Sequence, residues 1–473
     1  MATVVEPEGP AKKPPARKGV GEVPNVDEML ARARVPCDTA KAYHPFYRGK
    51  IEVVPRVPVR GFDDFAIWYT PGVAEPCKVI KAAPDEVFEQ TNKWNTVAIV
   101  TDGTRVLGLG DIGPEAGLPV MEGKALLFKY LGGVDAFPIC LGTKNPEEII
   151  SAVKWLQPSF GGVNLEDISQ PKCFTILRRL REECRIPVWH DDQQGTATVV
   201  TVGLLNALEV VGKKPREANV AVIGAGASNI ATLRILFAAG VDPKKTVVTD
   251  SKAALHPGRK DLEKDFPEKW DLALRTNAAG VTGGVPEAMK GADAVVAASK
   301  PGPGTIQPEW VRAMADDAIV FAIANPVPEI WPWEAHAAGA RVIATGRSDF
   351  PNQVNNSLGF PGIFRGVLDV RATTITDGMC LAAVHELAAM AKDKGLTEEY
   401  ILPRMDEWEV YPREAAAVGV EAIAEGVARL KKSRKELFEQ AEAIIWRARE
   451  QTRFLMDQGF IRPPPPMVAP PSH

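Results

Sequence analysis

Short apolar segments alternate with longer amphipathic stretches from about residue 95 to residue 345. The apolar segments are rich in Val, Ile and Ala and hold few polar positions, a pattern typical of parallel strands covered on both faces. Strands that alternate with helices predict an α/β fold with parallel sheets. The strand candidates are Thr96–Thr101, Asp135–Ile139, Gly161–Leu165, Arg185–His190, Asn219–Ile223, Thr246–Thr249, Ala294–Ala298, Ile319–Ile323 and Arg341–Ala344.

One segment between these strand groups has a different pattern. Thr196–Val211 is apolar on most sides and ends at Gly212, which is typical of a helix buried between two domains. We therefore predict an N-terminal α/β domain at residues 27–200 and a second α/β domain at residues 201–375.

The C-terminal part of the chain has the pattern of helices. Ser433 and Glu436 form a capping box ahead of a long helix, and Gly459 is a suitable stop. The apolar stripe of this helix consists of Leu437, Ala441, Ile444, Ile445, Ala448 and Leu455. We predict that residues 376–461 are helical and pack back on the first domain.

Composition narrows the possible partners. The 473 residues include 56 Lys and Arg and 60 Asp and Glu, which gives a net charge of −4. Because nucleic-acid-binding proteins usually carry an excess of positive charge, we expect no nucleic-acid partner. No uncharged apolar run reaches the ~18 residues of a membrane span, and the N-terminus lacks a signal-peptide pattern, so we expect no membrane and a cytoplasmic location. The six cysteines include no CxxC pair and fit a reducing compartment. Proline is concentrated at both ends, which predicts disordered tails at residues 1–26 and 462–473.

A glycine-rich turn follows the strand candidate Asn219–Ile223. It reads Gly224-Ala225-Gly226-Ala227-Ser228-Asn229 and leads into a helix, which is the context of a dinucleotide-binding motif. Gly224 permits the tight turn, and Gly226 lets the backbone approach a pyrophosphate at the helix start. Asn229 stands where the motif has its third glycine. The alternative is a turn that only packs a helix on a sheet.

The end of the next strand bears on the choice of cofactor. Asp250 stands where an acid binds the adenosine ribose, which favours NAD. Ser251 and Lys252 follow directly and can accept the 2′-phosphate of NADP. The turn and Asp250 together favour a Rossmann-type domain that binds NAD or NADP.

Acidic pairs follow two of the strand candidates. Glu166 and Asp167 come after Gly161–Leu165, and Asp191 and Asp192 come after the strand that ends at His190. Ligands of parallel sheets bind at the carboxyl ends of strands, where these side chains would converge. Carboxylates alone suit Mg²⁺ or Mn²⁺ and not Zn²⁺. The alternative is that each acid caps the following helix, and spacing leaves both possibilities open.

Four further residues carry candidate chemistry, each with a structural alternative. Lys124 opens an apolar helix. If it is buried there, its pKa would be lowered and it could act as a base; the alternative is that its side chain extends to solvent. Tyr69 is a proton donor or a half-buried tyrosine, and Arg105 is a carboxylate clamp or the partner of a nearby acid. His190 is interpreted as a packed histidine at a strand end.

Seven blocks of the sequence, in this order, resemble the malic enzyme family, and most closely its short bacterial form. They are residues 69–77, 101–113, 121–125, 164–168, 190–197, 324–329 and 344–356. The resemblance implies an NAD(P)-dependent oxidoreductase that oxidatively decarboxylates L-malate to pyruvate and CO₂ with Mg²⁺ or Mn²⁺. It implies that residues 27–200, with the C-terminal helices, bind substrate and metal, and that residues 201–375 bind the dinucleotide.

The resemblance also implies a role for individual residues. Lys124 would be the general base at the C2 hydroxyl, Tyr69 the general acid at C3, and Asp191 the group that supports Lys124. The metal ligands would be Glu166, Asp167 and Asp192. The substrate contacts would be Arg105, Asn325 and Asn355, with Asn325 also near the nicotinamide.

Two positions depart from the short bacterial pattern: Gln194 replaces a histidine, and Asn229 replaces a glycine. Alternatives of neighbouring specificity are a malolactic or oxaloacetate decarboxylase, or an oxidative decarboxylase of a related 2-hydroxy acid. A non-catalytic NAD(P)-binding sensor is disfavoured, because it has no chemical need for Lys124, Tyr69 and the acids. Relatives are commonly dimers, so we expect a homodimer.

Overall fold

The computed structural model describes residues 26–466, with side chains described from residue 34. Most of the two predicted tails, residues 1–25 and 467–473, therefore lies outside the described residues. Residues 462–466 follow the last helix without regular secondary structure.

The first sheet lies within residues 96–190 and contains the acidic pairs. Its strands are β1 (Thr96–Thr101), β2 (Asp135–Cys140), β3 (Gly162–Leu165) and β4 (Val188–His190). All are parallel, in the order β2-β1-β3-β4. β1, β3 and β4 are buried along their whole length, which explains their unbroken apolar runs. β4 is shorter than predicted, and Pro187, which has no N–H for the ladder, directly precedes it.

The second sheet has the strand order expected of a Rossmann-type domain. Its strands are β5 (Val220–Ile223), β6 (Thr246–Thr249), β7 (Ala294–Ala297), β8 (Ile319–Ala322) and β9 (Val342–Thr345). They are parallel, in the order β6-β5-β7-β8-β9. The order reverses between β5 and β7, and ligands of such sheets bind outside the strand ends at this point. The predicted α/β fold class with a Rossmann-type part is confirmed.

Helices cover the sheets and form the C-terminal part. They are α1 (Val26–Tyr47), α2 (Asp64–Trp68), α3 (Ala74–Ala82), α4 (Val87–Gln90), α5 (Pro114–Gly132), α6 (Pro146–Leu156), α7 (Lys172–Glu183), α8 (Thr196–Val210), α9 (Ala227–Ala238), α10 (Pro267–Arg275), α11 (Val285–Met289), α12 (Pro308–Arg312), α13 (Pro332–Ala337), α14 (Phe360–Asp369), α15 (Asp377–Lys394), α16 (Val410–Ala424) and α17 (Arg434–Asp457). None of the helices within residues 26–466 combines the length and apolar character that a bilayer crossing requires.

Helix α8 is the buried helix that the sequence predicts between the two sheets. Eleven of its fifteen residues are buried, including the polar Thr198, Thr201 and Asn206. Apolar residues of both sheets and of α8 belong to one hydrophobic cluster, among them Trp189, Leu204 and Phe321. The α8 helix is therefore part of the core on both sides.

Helix α17 packs back on the first sheet's helix α5, as predicted. Ser433 Oγ accepts from the N–H of Glu436, and Glu436 Oε2 accepts from the N–H of Ser433, so the capping box is confirmed. Ile444 lies against Gly133 so closely that an added Cβ there would be 2.6 Å from its Cγ2. The close approach needs a residue without a side chain at position 133.

Glu414 is an acid enclosed by the C-terminal helices. It is fully buried on α16, and neither carboxyl oxygen has a hydrogen-bond partner among the described residues. Its Oε2 would lie 2.0 Å from a Cβ added at Gly362 of α14. Burial first, and the charge of Glu386 second, raise the pKa of Glu414 well above its usual value.

We predict that Glu414→Gln removes a pH-dependent loss of stability. The unfolded state releases the Glu414 proton at ordinary acidic pH, whereas the folded state retains it. The free energy of unfolding of the wild type should therefore fall relative to the variant as pH rises above the unfolded pKa, by up to about 1.4 kcal/mol per pH unit. Urea denaturation at a series of pH values measures this, with Glu439→Gln, an exposed acid on α17, as control. Parallel pH profiles for wild type and Glu414→Gln would contradict it.

Candidate active site

A five-residue π-helical turn, Asp191–Gly195, connects β4 to α8 and holds two of the predicted site residues. A Cβ added at Gly195 would lie 2.0 Å from Asp191 Oδ1, so the turn needs glycine there. Trp189 Nε1 donates to the same oxygen at 3.0 Å. The Asp191 carboxylate is thus fixed from two sides and is fully buried.

Lys124 lies between two carboxylates beneath the ends of the strands. Its Nζ is 2.5 Å from Asp191 Oδ2 and 3.1 Å from Glu166 Oε1, and it lies 4.4 Å from the centre of the Phe360 ring. Only 8% of Lys124 is exposed. The alternative in which this lysine extends to solvent is therefore wrong.

The expected direction of the Lys124 pKa shift is also corrected. Burial lowers the pKa of Lys124, but the charges of Asp191 and Glu166 outweigh it, and the net pKa lies above the usual value. The sequence indicated burial, but it did not reveal that two carboxylates enclose the ammonium group. Lys124 is therefore a positive charge held by its partners in this arrangement.

Glu166, Asp167 and Asp192 converge, as expected for acids at neighbouring strand ends. One carboxylate oxygen from each lies within 4.8 Å of the others. The N–H of Asp167 donates to Asp192 Oδ2 at 2.9 Å, and Asn164 Nδ2 donates to Glu166 Oε2 at 2.8 Å. None of these contacts is the helix cap that was the structural alternative.

The donor set of these three acids fits a divalent cation. Burial first and the charge of Asp192 second raise the pKa of Asp167 to about 8, so a nearby positive charge would favour the charged form of this carboxylate. Asp167 Oδ2 is buried and has no hydrogen-bond partner among the described residues. Carboxylate oxygens in such a set are ligands for Mg²⁺ or Mn²⁺.

Arg105 lies on the loop after β1, beside the acids. Its N–H donates to the carbonyl of Asp167 at 2.9 Å, and its Nη1 donates to the carbonyl of Leu107 at 2.9 Å. The side chain is exposed, and no acid of the described chain lies within ion-pair distance of it. His190, by contrast, is fully buried, as predicted for a packed histidine.

The glycine turn lies between β5 and α9, at the point where the strand order reverses. Gly224 has φ +96°, and an added Cβ would be 2.9 Å from the carbonyl oxygen of Ala298. Gly226 is the N-cap residue of α9, and Ala227 and Ser228 are its first two residues. Asn229 is fully buried, and its Nδ2 donates to the carbonyls of Ile223 and Gly224 at 3.0 and 2.8 Å. Asn229, which replaces the third glycine, therefore stabilises the turn through these two hydrogen bonds.

Asp250 lies at the end of β6, as the sequence places it, but its carboxylate is already bonded. Arg259 donates to both oxygens at 3.1 and 3.0 Å, and the N–H groups of Lys252 and Ala253 donate to Oδ1. Lys269 lies 3.7 Å from Oδ2. Although burial opposes it, this set lowers the pKa of Asp250. The ribose-binding position is therefore an acid surrounded by cations.

Asn325 and Asn355 lie on the loops that follow β8 and β9 of the second sheet. The backbone of Asn325 approaches Gly108 of the first sheet, where an added Cβ would be 3.2 Å from its carbonyl oxygen. The side chain of Asn355 accepts a hydrogen bond from the N–H of Ser357 and so caps a short 3₁₀ helix. Its neighbour Asn356 lies against Gly195. Loops of the second sheet thus border the acidic cluster of the first.

Tyr69, another predicted site residue, makes no contact with the acidic cluster of its own chain among the hydrogen bonds of the described residues. It is 71% exposed, and its hydroxyl makes no hydrogen bond within the described residues. Every hydrogen bond that the structure gives for residues 58–83 has its partner within residues 58–86.

Most of the chain matches known malic enzymes. The family model for the malic enzyme N-terminal domain matches residues 48–148 and 142–181, and the model for the malic enzyme NAD-binding domain matches residues 193–424. The chain is 48% identical to the bifunctional malic/malolactic enzyme of Bacillus subtilis over 85% of this chain and 96% of that protein. The chain belongs to the malic enzyme family.

Two further malic enzymes are similar in sequence or structure. The NAD-dependent malic enzyme of Geobacillus stearothermophilus is 50% identical over 80% of this chain and 78% of that protein. The crystal structure of Entamoeba histolytica malic enzyme superposes with a TM-score of 0.91 at 47% identity, covering 94% of this chain and 93% of that one. The chain is accordingly an oxidoreductase of the decarboxylating, dinucleotide-dependent kind.

Three residues of this malic enzyme family member escaped the sequence analysis as site residues. Trp189 holds Asp191, Asn164 holds Glu166, and the ring of Phe360 covers Lys124. Alternation along β3 and β4 could have indicated the first two, because each stands two residues before the acid that it binds. Gln194, the departure from the family pattern, accepts from the N–H of His190 at 3.1 Å and therefore faces β4.

We predict that Asp167→Asn combined with Asp192→Asn weakens Mn²⁺ binding by more than about 100-fold, because two charged ligands are lost. Isothermal titration calorimetry with MnCl₂ measures the affinity. Asp271→Asn, an exposed acid on α10, is the matched control and should bind like the wild type. Equal affinity in the double variant would show that these acids are not the metal ligands.

Proposed function

We propose that the chain catalyses the oxidative decarboxylation of L-malate to pyruvate and CO₂, with reduction of NAD⁺ or NADP⁺ and a requirement for Mg²⁺ or Mn²⁺. The observation that carries this proposal is Lys124, enclosed by Asp191 and Glu166 and adjacent to the carboxylates of Asp167 and Asp192. A base next to a cation-binding set is what oxidation of a hydroxy acid followed by loss of CO₂ requires.

Lys124 takes the proton of the C2 hydroxyl while hydride leaves C2 for the nicotinamide. Asp191 orients Lys124 and keeps it at the strand ends, since Asp191 is itself held by Trp189. Glu166, Asp167 and Asp192 would hold a divalent cation, whose positive charge would oppose the ammonium form of Lys124 and polarise the substrate oxygens. Arg105 and Asn355 would bind the substrate carboxylates, and Asn325 would contact substrate or nicotinamide.

The glycine turn and its helix bind the dinucleotide. Gly224, Gly226, Ala227 and Ser228 offer backbone N–H groups to the pyrophosphate, and Asn229 keeps the turn in shape. Asp250 approaches the ribose. The cations around Asp250, Arg259 and Lys252 among them, tolerate a 2′-phosphate, so both NAD and NADP are compatible with this end of the site.

The two sheets belong to parts of the chain that bind different ligands. Residues 27–200, joined by the helices of residues 376–461, bind substrate and metal, and residues 201–375 bind the dinucleotide and add the substrate contacts Asn325 and Asn355. The cysteine thiols are unpaired in the described chain, which supports a reducing compartment such as the cytoplasm.

The enzyme acts as a homodimer in which Tyr69 protonates C3 in the partner subunit's site. Support comes from residues 53–83, which expose large apolar side chains: Val53 79%, Phe62 88%, Ile67 57%, Trp68 44% and Tyr69 71%. Such a patch is typical of a subunit interface. Within the described residues, no tyrosine hydroxyl is hydrogen-bonded to the Lys124 cluster, and a second copy of the chain would supply one.

A malolactic reaction is the second candidate. The similarity to the bifunctional enzyme of Bacillus subtilis favours it. Lactate without net reduced cofactor would identify it, whereas equal amounts of pyruvate and reduced cofactor identify the oxidative reaction.

We predict that Lys124→Ala lowers the malate-dependent production of NADH or NADPH by about 100- to 10,000-fold, because the general base is lost. Absorbance at 340 nm with L-malate, Mn²⁺ and each dinucleotide measures the rate, and pyruvate is assayed at the end. Lys154→Ala, a surface lysine on α6, is the control. Unchanged turnover in Lys124→Ala would remove Lys124 from the mechanism, and no turnover by the wild type would refute malate as the substrate.

A mixed dimer tests the shared site. Tyr69→Phe and Lys124→Ala subunits are co-expressed with different tags, and the heterodimer is purified. If each site combines Tyr69 of one subunit with Lys124 of the other, one of its two sites is intact and about half of the wild-type activity returns. If both residues serve one chain, the heterodimer remains as inactive as its parents. A monomer in light scattering would also refute the proposal.

A further inference from the structure

A cavity of about 480 Å³ lies between α7 of the first sheet and α9 of the second. None of the residues assigned above to substrate, metal or dinucleotide lines it. Its volume is in the range of sites that bind small organic molecules. The cavity therefore has room for a small organic ligand that is distinct from the substrate and the dinucleotide.

One wall of this cavity holds a buried hydrogen-bond donor without an acceptor. Gln193 is 4% exposed, lines the cavity, and its Nε2 has no partner within the described residues. An amide N–H₂ group in this situation needs an acceptor from a ligand or a water. The same residue belongs to the turn that carries Asp191 and Asp192.

Three arginines line the cavity, Arg178 and Arg181 on α7 and Arg234 on α9. Arg234 on α9 uses its Nε for Asp377 at 2.9 Å, and its two terminal nitrogens have no hydrogen-bond partner within the described residues. Within the described part of the chain, Arg178 on α7 has one acidic partner, Glu182, at 3.9 Å. A guanidinium with free terminal nitrogens matches the two oxygens of a carboxylate.

The rest of the lining limits what the ligand is. Phe174, Leu177 and Ile230 provide an apolar floor. Glu182 and Glu268 also line the cavity and offset two of the three arginine charges, which leaves one positive charge in excess. One excess charge above an apolar floor fits a single carboxylate on an apolar body better than a dicarboxylate such as malate.

We propose that this cavity is a binding site for a small monocarboxylate with an apolar body, held by Arg234 and by the floor at Phe174, next to the buried Gln193. Because Gln193 stands next to Asp192, occupancy changes the affinity of the acidic cluster for its cation. Binding itself does not depend on the proposed function, whereas the effect on malate turnover rests on it.

Phenylacetate is the probe, titrated calorimetrically into the full-length protein. Arg234→Ser combined with Phe174→Ala should weaken binding by at least about tenfold, because the head group and the apolar body both lose contacts. Arg312→Ser, an exposed arginine on α12, is the control and should bind like the wild type. Benzyl alcohol and succinate, which lack the charge and the apolar body respectively, should bind more weakly than phenylacetate.

The second readout is the Mn²⁺ affinity with and without saturating phenylacetate, which should differ by about fivefold in the wild type and not in the cavity variant. No phenylacetate binding, or equal binding by wild type and cavity variant, overturns the site. Binding of phenyl phosphate but not phenylacetate overturns the carboxylate assignment. An unchanged Mn²⁺ affinity overturns the link to the acidic cluster. All of these results can be read even if malate is not the substrate.

Discussion

The buried ion pair of Lys124 with Asp191 and Glu166 is the interaction on which the site depends. An ammonium group cannot remain charged inside a protein unless acids compensate it, and removing one partner of such a set is far more costly than removing a surface pair. The pair joins α5 to the ends of β3 and β4, three elements that are distant in sequence. The packing of Phe360 over Lys124 and the Trp189 bond to Asp191 hold these charges in place.

Much of the fold follows from patterns that are local in sequence. Apolar runs locate the strands within one to three residues, because a strand covered on both faces has little room for polar residues. The Ser433 and Glu436 capping box, and the buried helix before Gly212, are likewise encoded by neighbours. The convergence of Glu166, Asp167 and Asp192 follows from their places at strand ends, although only the structure separates it from helix capping.

The remaining features depend on partners far along the chain. The Lys124 pKa is set by acids more than forty residues away, and a local reading gave the wrong direction. Asp250 was located correctly, but Arg259, which occupies its carboxylate, belongs to a loop without a recognisable motif. Tyr69 was recognised through family resemblance, whereas its exposure is a property of the folded chain alone. Short-range patterns thus position residues, and long-range contacts determine their chemical state.

The α8 helix has a mechanical consequence. It is buried in the core of both sheets, and the turn at its first residue carries Asp191 and Asp192. Asp191 and Asp192 are therefore anchored from two directions, by β4 of the first sheet and by the buried start of α8. A substitution that repacks α8 would consequently be felt at these two carboxylates, although neither of them belongs to α8 itself.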